Sequence, residues 1–272
     1  MFRCTASVAE PTLPPAGRTA VLVIGTEILS GSVTDTNTPW LAKLLYSRGV
    51  DLVRVEVISD DKEDIAATAL RLRELVGSSG AVITSGGIGP THDDVTYEAL
   101  AAAHGVSLEV HEATAARMQQ HYDARGIELN AARLRMATLP ATAEVLEVPG
   151  TWVPLVNLRG TYVLPGVPRL FRSMLEAHIG RFAGPAHRQA ELLTDMGEGD
   201  LADPLREIAR EHPGVSVGSY PADDALPAGD RPKHKVRLVL SCRDEAALAS
   251  AVDAVRSRIA TLVPDQPAEA DI

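Results

Sequence analysis

The residues most able to do chemistry lie within positions 85–96. There SGGIGPTHDDVT sets three glycines, two threonines and the adjacent pair Asp93-Asp94 close together. Ser85, Gly86, Gly87 and Gly89 carry little or no side chain, so the backbone can approach a ligand closely. Thr91, Asp93, Asp94 and Thr96 are all residue types that start helices, and the Ala- and Leu-rich stretch 97–103 favours one. A strand that enters such a loop and leaves it as a helix builds an anion site, because unpaired N–H groups converge with the positive end of the helix dipole. Two carboxylates at an anion site would repel a phosphate unless a cation lies between, or unless they act as acid, base or metal ligand. The loop fits neither GxGxxG nor a Walker A sequence, and Asp94 also suits a plain helix cap.

Two further acidic segments follow apolar, β-branched runs: Gly25-Thr26-Glu27 after residues 19–24, and Asp60-Asp61 after residues 52–58. A third run, 81–84, leads into Ser85. In an open α/β sheet ligands bind at the carboxyl ends of the strands, so these segments can meet although they are distant in sequence. Carboxylates beside an anion loop suit Mg²⁺ or Mn²⁺, held by protein and substrate phosphates together, which polarises a phosphoryl oxygen and activates water against a pyrophosphate. Asp60 also suits a plain strand end. The eight histidines show no HxH or HExxH spacing, so zinc is not expected, and His92 alone lies in the loop. There is no GxSxG elbow, and Ser85 has no evident base.

Strands alternating with helical patterns must position these segments. Helical spacing runs over 65–76, 95–104, 113–125, largely over 131–139, and over 169–179. The Trp40, Leu41, Leu44, Leu45 stripe marks another helix, capped by Asp35, Thr36, Asn37 or Thr38. Residues 142–148 read as strand, and 153–158 with 161–164 as a hairpin around Arg159-Gly160. This predicts a doubly wound, mostly parallel sheet in a three-layer α/β/α domain over residues 19–182. After Gly184-Pro185, the strands 189–194, 215–220 and 235–242 and the helices 201–211 and 245–262 predict a smaller βαββα, α+β domain over 188–264. Residues 1–18, with three prolines and no apolar core, read as a disordered leader, and 265–272 as a tail.

The 272 residues carry 36 acidic against 26 basic side chains, a net charge of −10, with no basic block, which disfavours nucleic acid as a partner. No apolar run reaches the roughly 20 residues of a membrane helix, so no membrane partner is expected. Of the two cysteines, Cys4 falls in the leader and Cys242 in an apolar strand, which points to a reducing, cytoplasmic setting.

The string 86–96, GGIGPTHDDVT, resembles the signature of the molybdopterin-binding, molybdenum-cofactor-biosynthesis domain family. It is most similar to the amino-terminal part of CinA proteins and to the molybdopterin-binding-like domain of eukaryotic FAD synthases. VLVIGTEILSGSVTDTNTPWLAKLL (21–45), VEVISDDKEDI (55–65), YVLPGVP (162–168) and VGSYP (217–221) fit in order. The resemblance aligns Asp60 and Asp94 with family aspartates, making them the working carboxylates and metal ligands, with Asp93 beside them. It also places Gly25, Thr26, Glu27, Asn37, Ser85, Gly86, Gly87, Gly89, Thr91, Thr96, Pro165 and Gly166 against substrate. It implies metal-dependent hydrolysis of a dinucleotide such as FAD or ADP-ribose, or binding and adenylylation of a pterin; a non-catalytic regulatory role stays open. It further implies a homo-oligomer, dimer or trimer. CinA-like chains have a KH-like domain where residues 188–264 fall, but no GxxG occurs there, so RNA binding is not implied. With the sequence ending at Ile272, neither an amidohydrolase nor an FAD-synthesising segment is expected. Where CinA-like chains read GTAPG, this one has Gly150-Thr151-Trp152-Val153-Pro154, so substrate preference is open at that loop.

Overall fold

A computed structural model describes residues 16–222 and 232–261. The chain divides into two compact units, Met1–Pro185 and Ala186–Ile272. The first runs β1 (Arg18–Ile24), α1 (Thr26–Leu29), α2 (Asn37–Ser47), β2 (Asp51–Ile58), α3 (Lys62–Val76), β3 (Ala81–Ser85), α4 (Thr96–His104), β4 (Leu108–Val110) and α5 (Glu112–Asp123). It continues with α6 (Ala131–Leu134), β5 (Thr138–Pro140), β6 (Glu144–Leu146), β7 (Leu155–Leu158), β8 (Thr161–Leu164) and α7 (Pro168–Ala177). Six strands form one sheet in the order β2-β1-β3-β8-β7-β6; all run the same way except β7, which pairs antiparallel with both of its neighbours.

Alternation along each strand builds the three layers. In β1, Val21 and Val23 pack on one face of the sheet with Leu41 and Leu45 of α2 and Phe171 and Leu175 of α7. Ala20, Leu22 and Ile24 pack on the other with Ile65 and Leu72 of α3 and Leu100 of α4. A slip of one residue would exchange the two sets, so register is held by burial on both faces. Phe171 is fully buried, and its truncation to Ala would cost about 3–5 kcal/mol.

The order β2-β1-β3 fixes where a ligand can go. The chain leaves β1 toward β2 on one side and returns as β3 on the other. A crevice therefore opens beyond the carboxyl ends of β1 and β3, where the connections diverge. Ile24 of β1 lies beside Ile58 of β2, and Val23 beside Ser85 of β3, so the segments after all three strands emerge at one edge.

The second unit runs β9 (Arg188–Thr194), α8 (Glu198–Glu211), β10 (Ser216–Pro221), β11 (Val236–Cys242) and α9 (Glu245–Arg258). Its antiparallel sheet has the order β10-β11-β9 and a core of its own around Leu201, Ile208, Leu238 and Leu240.

Several sequence expectations need correction. The helix expected over 131–139 ends early: Arg135–Ala137 is a 3₁₀ turn and Thr138–Pro140 a strand, because β4, which the sequence reading missed, pairs with it. The last helix stops at Arg258, short of the expected 262. Residues 16–18 are not disordered, since the Ala16 N–H donates to the Arg181 carbonyl at 2.8 Å and Arg18 begins β1. Residues 1–15 with Cys4, the loop 223–231 and the tail 265–272 lie outside the described residues; Cys242 is a free thiol. No helix among the described residues is long and apolar enough to cross a membrane.

Candidate functional site

A cleft of about 530 Å³ opens at the carboxyl edge of the large sheet. Its lining combines the carboxylates of Glu27, Asp60, Asp93 and Asp94, a floor of Gly86, Gly87, Ile88 and Gly89 with Pro165 and Gly166, and the apolar side chains of Met136, Trp152, Val153 and Leu170. Volume and lining are those of a small-molecule site.

The floor is built by close backbone packing. Gly86 has φ +113°, and a side-chain carbon there would lie 2.1 Å from the Ile24 carbonyl oxygen, so no other residue lets β1 and β3 end side by side. Thr96, fully buried, fastens the loop from below: its hydroxyl donates to the Gly86 carbonyl at 3.2 Å and its N–H to that of Gly87 at 3.0 Å. Asn37, only 4% exposed, donates through Nδ2 to Ser85 Oγ at 3.0 Å and to the Gly166 carbonyl at 2.9 Å. It thereby ties α2 to the ends of β3 and β8. Asp35 takes the capping role, accepting from the N–H groups of Asn37 and Thr38, which leaves the Asn37 amide for that tie. Asn37, Ser85 and Thr96 thus hold the floor up from beneath rather than line the cleft.

The N–H groups of Gly87, Ile88 and Gly89 find no acceptor among the described residues. Three successive unpaired donors in a loop that lines a cleft are a ready anion cradle.

The carboxylates are anchored on one side only. Asp60 Oδ2 accepts from the Thr26 N–H and hydroxyl, both at 2.9 Å, and Oδ1 has no donor among the described residues. Asp94 Oδ2 accepts from the Thr91 N–H at 2.8 Å and from the Thr91 hydroxyl. Asp94 therefore does not cap α4; that position is Val95, with no side-chain cap. Asp61 does cap a helix, accepting from the Asp64 N–H at 2.8 Å. The nearby Thr91 hydroxyl, whose one proton also serves Asp94, and a backbone N–H draw the Asp93 carboxyl below its usual range, with His92 Nδ1 at 3.9 Å adding a smaller pull. Glu27 lies against Gly25, where a side-chain carbon would fall 2.6 Å from its Oε1.

Two groups escaped the sequence reading. Arg135 donates to the Thr91 carbonyl at 3.0 Å, to that of Asp94 at 3.3 Å and to Glu98 at 3.1 Å, bracing the outer half of the loop. It lay in a stretch read as helix, where an arginine is unremarkable. Trp152 forms the aromatic wall, tilted against Tyr122 and His121 with centroids 6.3 and 6.2 Å away. Arg117 pins its loop by donating to the Thr151 carbonyl at 2.5 Å. The departure from GTAPG was the available signal for it.

A strand-loop-helix connection at the switch point of a 2-1-3 sheet defines the class of protein, a doubly wound α/β fold. Residues 20–184 match the family model described as "Probable molybdopterin binding domain", and residues 187–266 that described as "FAD synthase, middle domain". The chain belongs to this molybdopterin-binding-domain family. It is 31% identical to a protein of Pyrobaculum calidifontis over 262 residues, 93% of this chain and 98% of that one. It is 33% identical to a "Probable FAD synthase" of Caenorhabditis elegans over 78% of this chain and 45% of that one. Among solved structures, the protein CinA of Thermoplasma acidophilum is 32% identical, covers 60% of this chain and 96% of its own, and has a TM-score of 0.53.

Proposed function

We propose that the cleft binds a dinucleotide of the FAD or ADP-ribose type and hydrolyses its pyrophosphate with the help of a divalent cation. One observation carries the reading: unpaired backbone donors at Gly87, Ile88 and Gly89 share a cleft with four carboxylates and with the aromatic and apolar side chains of Trp152, Met136, Val153 and Leu170. Phosphates suit the donors, a planar ring suits Trp152 and Met136, and the carboxylates suit a cation that neutralises the phosphates.

The donor set fits that cation only in its sparser mode. No group of three or more His, Cys, Asp or Glu converges as a metal cage among the described residues. Mg²⁺ commonly needs just one or two carboxylates, completed by substrate phosphate and water, and the uncommitted Oδ1 atoms of Asp60 and Asp94 supply those. Bound there, the cation would polarise a phosphoryl oxygen and lower the pKa of water. The chain's own part is positional. The loop N–H groups hold the phosphate, Thr26 and Thr91 aim the two carboxylates, and Asp93 stays charged at neutral pH. Hydrolysis then breaks one bridging P–O bond and releases two monophosphates.

The lack of a three-ligand cage favours a second reading, a pterin- or nucleotide-binding module that adenylylates its ligand or performs no chemistry. Asp94→Asn separates the two. Its amide oxygen still accepts from the Thr91 N–H, so the fold survives, yet a carboxylate ligand is lost. Under the first reading the variant loses hydrolysis by at least ~100-fold, and chelation of divalent ions abolishes it in the wild type. Hydrolysis that persists in both cases refutes the metal mechanism, whereas wild-type binding without turnover supports the second reading.

A further inference from the structure

A second cleft of the first unit lies at the opposite edge of the sheet from the floor just described. It occupies about 710 Å³ at the amino edge, between the starts of β3, β6 and β8, and its lining includes Arg73, Arg159, Arg181, Ser78, Ser79 and Glu144. In a chain of net charge −10, this cleft has three guanidinium groups and one carboxylate.

That carboxylate is already engaged. Glu144 receives both arms of Arg181, at 2.9 and 2.6 Å, and the Asn157 amide at 3.0 Å. The other two cations have no carboxylate partner among the described residues. Arg73, half-buried, donates only to neutral carbonyls, those of Gly80 at 2.5 Å and of Gly77 and Gly160 at 3.3 Å. Burial draws its pKa down, the mark of a charge short of a counter-ion.

Arg159 adds an independent observation. It is the one described non-glycine residue with positive φ, +50°, and it precedes Gly160 at +83° in the two-residue turn between β7 and β8. Such turns favour Asn-Gly, since a bulky residue is strained in the left-handed region. The Arg73 bonds are those of a helix-end cap and explain that residue alone; they do not explain an arginine in a strained turn at the mouth of the same cleft. Strain of this kind is retained where the side chain has work to do.

We infer that this amino-edge cleft is a second binding site, which takes the phosphate group of a small organic phosphate between Arg73, Arg159 and the Arg181–Glu144 pair. Forked guanidinium donors with two serine hydroxyls match the three acceptor oxygens of a phosphate. The volume far exceeds a bare ion, so the phosphate would be one end of a larger ligand. The proposal is independent of the activity assigned to the carboxyl-edge cleft.

The test uses the full chain, with inorganic phosphate as probe and citrate as a carboxylate comparison, followed by calorimetry and thermal unfolding. Arg159→Asn suits the turn better than arginine. The variant should therefore unfold no earlier than wild type without phosphate, yet bind phosphate about tenfold or more weakly. Arg159→Lys should fall between them, since it keeps the charge and loses the fork. Hydrolysis or ligand binding at the carboxyl-edge cleft should be the same in all three. Saturable phosphate binding unaffected by Arg159→Asn would place the ion elsewhere and overturn the proposal. Absence of saturable binding to wild type, or tighter binding of citrate than of phosphate, would overturn it as well.

Discussion

Gly89→Ala offers a way to move one carboxylate without disturbing the fold around it. A side-chain carbon at Gly89 would stand 2.6 Å from Asp94 Oδ2, about 0.8 Å inside the 3.4 Å at which ordinary contact begins. The obstructing atoms are the tip of a flexible side chain, so the Asp94 carboxylate should swing away and give up its bonds from Thr91. Both bonds are exposed, so water replaces much of what is lost and the two together cost about 0.5–1.5 kcal/mol. Gly89 is not in the left-handed region, and restricting the unfolded chain with Ala returns about 0.4–1 kcal/mol, so net stability should change by less than about 1 kcal/mol. Gly86→Ala is the contrast. There the obstacle is the Ile24 backbone at 2.1 Å and φ is +113°, so strain and overpacking together should cost about 2–6 kcal/mol. The assay pairs denaturant unfolding with kcat/KM for FAD or ADP-ribose. A displacement near 1 Å in a positioned catalytic group costs about 100-fold, so Gly89→Ala should lose that much turnover at nearly wild-type stability. Wild-type turnover in Gly89→Ala, or destabilisation as large as that of Gly86→Ala, would refute the claim that Asp94 works from this position.

Two other predictions concern acid and assembly. Burial pushes Glu144 up, but hydrogen bonds from Arg181 and Asn157 and the Arg181 charge outweigh it and hold the carboxyl below its ordinary 4.5. A carboxyl depressed on folding contributes stability above its unfolded pKa and loses it as pH falls through the folded value. Glu144→Gln should thus be less stable than wild type by about 0.5–1 kcal/mol at neutral pH and converge with it in acid; denaturation curves that stay parallel to below pH ~3 would sink the assignment. Strand β2 is at the edge of the large sheet and exposes Val55 and Val57, which suits burial against a second copy. Light scattering should give a multiple of 28.9 kDa, with Val55→Lys shifting the mass toward that value; a wild-type mass of 28.9 kDa at micromolar concentration would exclude the dimer or trimer.

Much of the first unit was legible because its signals are local and repeated. The runs at β1, β3 and β8 are apolar and β-branched, and their burial on both faces demands such residues. The misreadings occur where a partner decides. Residues 138–140 are strand only because 108–110 pair with them, and neither tripeptide has enough residues to show a period. Asp94 looks like a helix cap in sequence, yet Thr91 holds its carboxylate back within the loop.

By itself the sequence determined the order of the long elements, the alternation that makes a two-faced sheet, the glycine loop and the family. These depend on residue types a few positions apart, which local sterics and periodic burial govern. Only the tertiary structure decided which of the small and polar residues line the cleft and which support it. Asn37, Ser85 and Thr96 are small or polar types that suit a ligand contact in sequence, yet all three are buried beneath the floor of the cleft. The structure likewise decided that Trp152 and Met136 close the apolar wall, and that Arg73, Arg159 and Arg181 gather at the opposite edge. Those groupings arise from chain crossings between residues up to 108 positions apart, and no local preference encodes a crossing.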